Sequence, residues 1–167
     1  MLKKGNAMLA LIIYVLLITH TVEEGLLLCG LIRYSASFKS VGCGLMGIFS
    51  LHALLSVFLL FFNQGSSGRF YPSQNKQTAV QRLSAVLLLI LIHFHCTDYQ
   101  NYQDPAAITF VPEALFVIVT TMHASASAEH AYITLGVSVK GVTIITRCLL
   151  FASAVLGMAG LVRFFLL

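Results

Sequence analysis

The sequence predicts an all-α integral membrane protein, a single domain over residues 1–167 built as a bundle of five transmembrane helices with a cytoplasmic N-terminus. Three observations carry this reading. Hydrophobic residues make up 58% of the chain and charged residues only 10%, against about a quarter charged in soluble domains. The apolar residues fall into five long runs, each near the ~20 residues that cross ~30 Å of hydrocarbon. The charges gather between the runs and at their ends, which leaves no stretch able to fold as a soluble catalytic domain.

The first run covers roughly Ala7 to Val22 and can extend through Glu23 and Glu24 to Ile32. It follows Lys3 and Lys4 but lacks a small-residue cleavage site, so it is expected to be a span and not a cleaved signal. The second run is Val41 to Phe62, the third Val80 to Thr97, the fourth Val111 to Val137 and the fifth Gly141 to Val162. The stretch from Asn63 to Ala79 is the one long polar loop, with Pro72, Arg69 and Lys76; the stretch from Asp98 to Val111 is acidic. Basic residues mark the cytoplasmic side. This puts Lys3, Lys4, Arg69, Lys76, Arg82 and Lys140 inside, and Arg33, Lys39 and Arg163 outside. Glu23, Glu24, Asp98 and Asp104 then lie outside, with Glu113 near that face.

Net charge is +4, yet the basic residues form no continuous face of the kind nucleic acid requires. The four cysteines, Cys29, Cys43, Cys96 and Cys148, have neither CxxC nor metal-finger spacing and read as apolar filling.

The histidines hold the chemistry. All six (His20, His52, His93, His95, His123 and His130) lie inside apolar runs, and each of the first four runs has at least one. Ionisable residues at membrane depth are costly, face the bundle interior and mark function. One histidine hydrogen-bonded across helices would be unremarked; six call for a further explanation. Neutral imidazole is an axial ligand of haem iron, and helical bundles assemble such sites from facing side chains.

Depth sorts them. With 1.5 Å per residue, His20 stands roughly 21 Å along its helix and His95 roughly 22 Å along the parallel third one. His52 lies roughly 15 Å and His123 roughly 17 Å along the two helices that run the other way. The spacing therefore predicts two bis-histidine pairs, His20 with His95 nearer the outer face and His52 with His123 deeper. His93 and His95 diverge by ~200° around their helix, so both cannot enter one bundle. His123 and His130 are only ~10 Å apart along one face, too close for two stacked porphyrins. His93 and His130 are expected as polar supports or haem-propionate partners, with His130 the alternative to His123 as ligand. The run Ala124, Ser125, Ala126, Ser127 and Ala128 either lets helices approach closely or leaves room for a flat macrocycle.

Further polar residues have two readings each. Arg82 either snorkels to the membrane face or meets a propionate or quinone oxygen. Arg147 is one turn into the fifth run, where it could make the same contacts or pair with Glu129. Glu23, Glu24 and Asp98 either cap solvated helix ends or exchange protons with quinone.

The order His52-Ala53, then Gln81-Arg82-Leu83-Ser84, then His95 resembles the "His-Ala … Gln-Arg-x-Thr/Ser-Gly … His" pattern of the five-helix, single-polypeptide di-haem cytochrome b anchors of succinate dehydrogenases and fumarate reductases, the complex II family. His20 and His123 fall where that family's other ligands lie. The chain departs from the pattern at Ala85, where a glycine is expected, in the Lys3-Lys4-Gly5-Asn6 opening, and at Thr121, where some fumarate reductases have a proton-transferring glutamate. The resemblance implies two haems b, an outer one on His20/His95 and an inner one on His52/His123. It also implies a quinone site for menaquinone or ubiquinone, and partner flavoprotein and iron–sulfur subunits that perform the succinate or fumarate chemistry. A bacterial cytoplasmic membrane is expected ahead of the mitochondrial inner membrane. The competing expectations are a stand-alone bis-histidine cytochrome b and a non-haem transporter or assembly factor with histidines as proton relays.

Overall fold

A computed structural model of the chain describes residues 1–62, 76–100, 109–137 and 139–166. The long polar loop with Arg69 and Pro72, and Asp104 in the acidic stretch, lie outside the described residues. Five helices account for nearly all of the rest: α1 (Leu2–Leu28), α2 (Ala36–Phe62), α3 (Lys76–Gln100), α4 (Phe110–Leu135) and α5 (Val139–Leu166). All five are long and apolar enough to cross a membrane, and the described residues contain no strand. α1 runs through Glu23 and Glu24, taking the longer of its two expected courses.

Local signals explain where the helices stop. α1 ends at Cys29, and Gly30 follows at φ 68°, with N–H groups of Gly30 and Leu31 bonded back to the carbonyls of Leu27 and Leu26. α4 ends the same way: Gly136 sits at φ 75°, and Gly136 and Val137 donate to Ile133 and Tyr132. These left-handed positions are cheap only for glycine, and the back-bonded pair satisfies carbonyls that the helix leaves open. α2 is capped by Ser35, whose Oγ accepts from the Phe38 N–H at 3.4 Å. Pro112 falls in the first turn of α4, where a missing N–H breaks no intrahelical bond.

α1, α4 and α5 pack on one another as the centre of the bundle, while α2 rests chiefly on α1 and α3 chiefly on α4. The tightest approach is between α1 and α5. A Cβ at Gly160 would fall 2.7 Å from the Gly25 carbonyl oxygen, and one at Gly25 2.8 Å from that of Leu156. Glycines let the two backbones meet, the usual means of association where lipid supplies no hydrophobic drive.

The interior mixes large apolar side chains with small and polar ones: Leu88, Leu150 and Leu161 are buried along with Ala7, Ala10, Ala124, Ala128, Ser84, Ser127, Thr143 and Ser153, while Leu54, Leu83, Ile144 and Phe151 face outward. Hydrogen bonds between helices join the interior: Tyr14 Oη with Ser127 Oγ at 2.8 Å, Tyr132 Oη with Thr146 Oγ1 at 2.7 Å, and Asn6 Nδ2 donating to Ser56 Oγ at 3.1 Å. In hydrocarbon a polar side chain without such a partner is costly.

Candidate functional site

Because α2 leans on α1 and α3 on α4, the bundle leaves a half-open cavity of about 500 Å³ between them. Its volume lies within the ~300–1,000 Å³ of small-molecule and cofactor sites. The wall is mostly apolar or small (Ile13, Leu88, Phe116, Val117, Ala124), and four histidines enter it, one from each of α1 to α4: His20, His52, His95 and His123.

The histidines stand at two levels. His20 and His95 meet at the end near the α1–α2 turn, with ring centroids 6.2 Å apart and planes at 83°. His20 lies over Phe38 at 4.9 Å and against Gly42, whose missing side chain leaves space for the ring. His95 stacks on Phe116 at 4.5 Å and 23°. His52 and His123 belong to the middle of the bundle. His52 is ten residues beyond Gly42 in α2, and His123 ten residues beyond Glu113, which touches His95, in α4. Ten residues of helix is ~15 Å, so the two levels are separated by about that rise.

Each level has a histidine with a defined support. His95 Nδ1 lies 2.8 Å from Oε2 of Glu113, which is fully buried in the first turn of α4. His123 Nδ1 lies 3.1 Å from the Gln81 carbonyl oxygen and 3.0 Å from Ser84 Oγ, both on α3. A carbonyl only accepts, and the Ser84 hydroxyl is already donated within its own helix, to Val80 O. His123 therefore carries its proton on Nδ1, and a neutral ring leaves the Nε2 lone pair available. An ionised Glu113 only accepts, and its contact then holds His95 in the same tautomer. An imidazole that donates its far N–H to a carbonyl or carboxylate is the usual arrangement of a metal-binding histidine. The remaining pair, His20 and His52, have buried Nδ1 atoms with no hydrogen-bond partner among the described residues.

Glu24 joins the level near the turn. It is one helical turn beyond His20, is buried, and lines the cavity. One ligand atom each from His20, Glu24 and His95 lie within 4.8 Å of one another, so the group could hold a single metal ion.

No protein-family model, curated protein or solved structure matches this chain. The chemistry must therefore be read from the residues themselves.

The other candidates are placed elsewhere. His93 is exposed, with its ring edge-on to Phe94 at 6.1 Å, and His130 is exposed on α4. Arg82 is exposed at the start of α3. Arg147 donates from Nε to the Ser125 carbonyl at 3.2 Å and from Nη2 to Glu129 at 3.4 Å, the pairing expected between those two side chains. None of these four lines the cavity. Glu23 sits beside Glu24 with a buried Oε2 that has no partner. Asp98 is in α3, but its side chain lies outside the described residues.

The structure adds residues that the sequence did not single out for the site: Glu113, Gln81 through its carbonyl, and Ser84. Glu113 reads as one more acid at a membrane face. A clue was present, since it follows Pro112 at a helix start near the same outer face towards which His95 is expected.

Proposed function

We propose that this chain is the membrane anchor of a succinate:quinone oxidoreductase or quinol:fumarate reductase, passing electrons between an iron–sulfur partner subunit and membrane quinone. One observation carries the reading: four helices each send one histidine into a common cavity, at two levels ~15 Å apart. Four imidazoles at two levels are the ligand set that two bis-histidine haems b would need. The Nδ1 contacts of His95 and His123 leave Nε2 as the donor atom of each, and the buried Nδ1 atoms of His20 and His52 have no hydrogen-bond partner among the described residues. Haem, when bound, supplies one-electron redox chemistry. The protein supplies ligation, spacing and a mostly apolar wall.

In this reading the N-terminus is cytoplasmic and the membrane is bacterial. His20/His95 form the outer site and His52/His123 the inner one. Glu23, Glu24 and Asp98 cluster towards the outer end, where quinone protons would be exchanged. Flavin and dicarboxylate chemistry belongs to soluble partners. The purified complex is expected to contain two low-spin haems b per chain by pyridine haemochrome, together with a flavoprotein and an iron–sulfur subunit. A single haem would overturn the pairing, and copurification of haem with no flavoprotein would favour the stand-alone cytochrome.

The docking surface gives a second expectation. The stretch from Asn63 to Ala79, whose last four residues open α3, is the longest polar run of the sequence on the basic side, and Arg69 and Lys76 suit an acidic partner. Charge reversal at both should weaken association and leave both haem spectra intact. Surface ion pairs contribute about 0–1 kcal/mol each, so the expected result is partial dissociation that salt makes worse. Unchanged association in a salt series would remove the loop from the interface.

The His20, Glu24 and His95 group favours a second reading, a non-haem protein with one divalent ion at a two-histidine, one-carboxylate site. One stoichiometric metal ion in a preparation with no haem absorbance would decide for it.

A further inference from the structure

We infer that Glu113 is a positioning residue that sets the electronic character of His95 and so makes the two levels unequal. The inference rests on the haem reading above. The two levels differ in what supports the ligand. At the mid-bundle level, the His123 Nδ1–H is shared between the Gln81 carbonyl and the Ser84 hydroxyl, both neutral, at 3.1 and 3.0 Å. At the level near the turn, the His95 N–H is given to a carboxylate at 2.8 Å. Glu113 is fully buried, and its second oxygen, Oε1, has no hydrogen-bond partner among the described residues. No other hydrogen bond therefore draws charge away from the contact with His95.

A carboxylate acceptor draws the Nδ1 proton further from the ring than a carbonyl does, and the ring becomes a stronger donor at Nε2. A stronger, more anionic donor favours ferric over ferrous iron. The site on His20/His95 is thus held at the lower potential of the two. The first turn of α4 is a suitable place for the carboxylate, because the open N–H groups and helix dipole there attract negative charge. Phe116, stacked on the His95 ring, fixes its plane.

The test is a spectroelectrochemical titration of the intact complex carrying Glu113→Gln, which keeps the size and an acceptor oxygen but removes the charge. Outer-shell substitutions of this kind change metal affinity by about 10–100-fold. A tenfold loss of the ferric preference corresponds to about 59 mV for one electron. One of two midpoints should rise by about that amount or more while the other stays, and Glu113→Asp should return it towards the wild-type value. The moving midpoint should be the one missing from His95→Ala. If Glu113→Gln costs one haem, Glu113→Asp should restore it.

Two haems with both midpoints unmoved in Glu113→Gln would overturn this inference and leave the proposed function standing. An equal rise in Glu129→Gln, whose carboxylate lies off the cavity, would overturn it too, as would Glu113→Asp that stays at one haem. Wild-type complex without haem would overturn the proposed function, and this inference with it.

Discussion

On the proposed di-haem reading, His123→Ala is expected to remove one of two haems and leave the other, while His93→Ala removes neither. The contrast follows from orientation. His123 enters the cavity with its Nδ1 held by Gln81 and Ser84, whereas His93 is exposed on the opposite side of α3 from His95. With the imidazole replaced by a methyl, no nitrogen would remain at that position to hold the group, and no other cavity histidine stands within a helical turn of His123 on α4. His130 is two turns away and exposed. The effect is accordingly all-or-none for one site, read as a haem-to-protein ratio halved from two to one. His20→Ala, His52→Ala and His95→Ala should each give the same halved ratio, with His20 and His95 removing one spectral component and His52 and His123 the other. If His130→Ala abolished a haem while His123→Ala did not, α4 would have to be rotated from its present packing. If all four cavity variants kept two haems, the histidines would have to be explained as helix-to-helix hydrogen bonding.

Gly160→Ala is expected to destabilise the bundle, while Gly5→Ala does not. At Gly160 the new Cβ would sit 2.7 Å from the Gly25 carbonyl oxygen, 3.0 Å from the Gly25 Cα and 3.1 Å from the Leu28 Cβ. Two of these are backbone atoms of α1, which cannot turn aside as a side-chain tip can. Relief requires α1 and α5 to separate. Overpacking of this kind costs about 1–3 kcal/mol, a large share of the ~5–15 kcal/mol that a folded protein has in total. A valine at the same position should prevent assembly. A Cβ at Gly5 would meet nothing within 4 Å, and the residue is in a helix, where alanine is favoured over glycine by up to about 1 kcal/mol. Denaturation in detergent followed by circular dichroism separates the two, with opposite signs expected. A Gly160→Ala midpoint equal to wild type would mean that the α1–α5 approach is looser than the structure has it. α1 provides His20 and Glu24, and Gly25 adjoins Glu24, so the same substitution should also loosen the cavity end nearest the α1–α2 turn.

Much of the architecture could be read along the chain. Hydropathy is a property of short windows, and a segment of ~20 apolar residues has few alternatives to a spanning helix, because hydrocarbon satisfies no backbone group. The five spans and the divergence of His93 from His95 follow from composition and from a fixed rise and twist per residue, whereas the sequence left open whether α1 runs on through Glu24, as it does. The same arithmetic placed the cavity histidines at two depths. It could also suggest the pairing of Arg147 with Glu129, since a charge at membrane depth needs a partner.

Rotation and approach were decided only in three dimensions. A helix repeats its rise regardless of neighbours, but the direction a side chain faces across the bundle depends on which helices touch and how closely. Gly25, Gly157 and Gly160 bring α1 and α5 together, and nothing local in those glycines names the partner helix. The placement of α2 on α1 and α3 on α4 opened the cavity. That arrangement turned Arg82, His93, His130 and Arg147 away from it and brought Glu24 within ligand distance of His20 and His95. Glu113 and His95 are 18 residues apart in sequence, and the Gln81 carbonyl and His123 ring 42 apart. A backbone carbonyl carries no sequence signature at all, so its role as a partner of the His123 ring arises only when α3 and α4 are laid side by side.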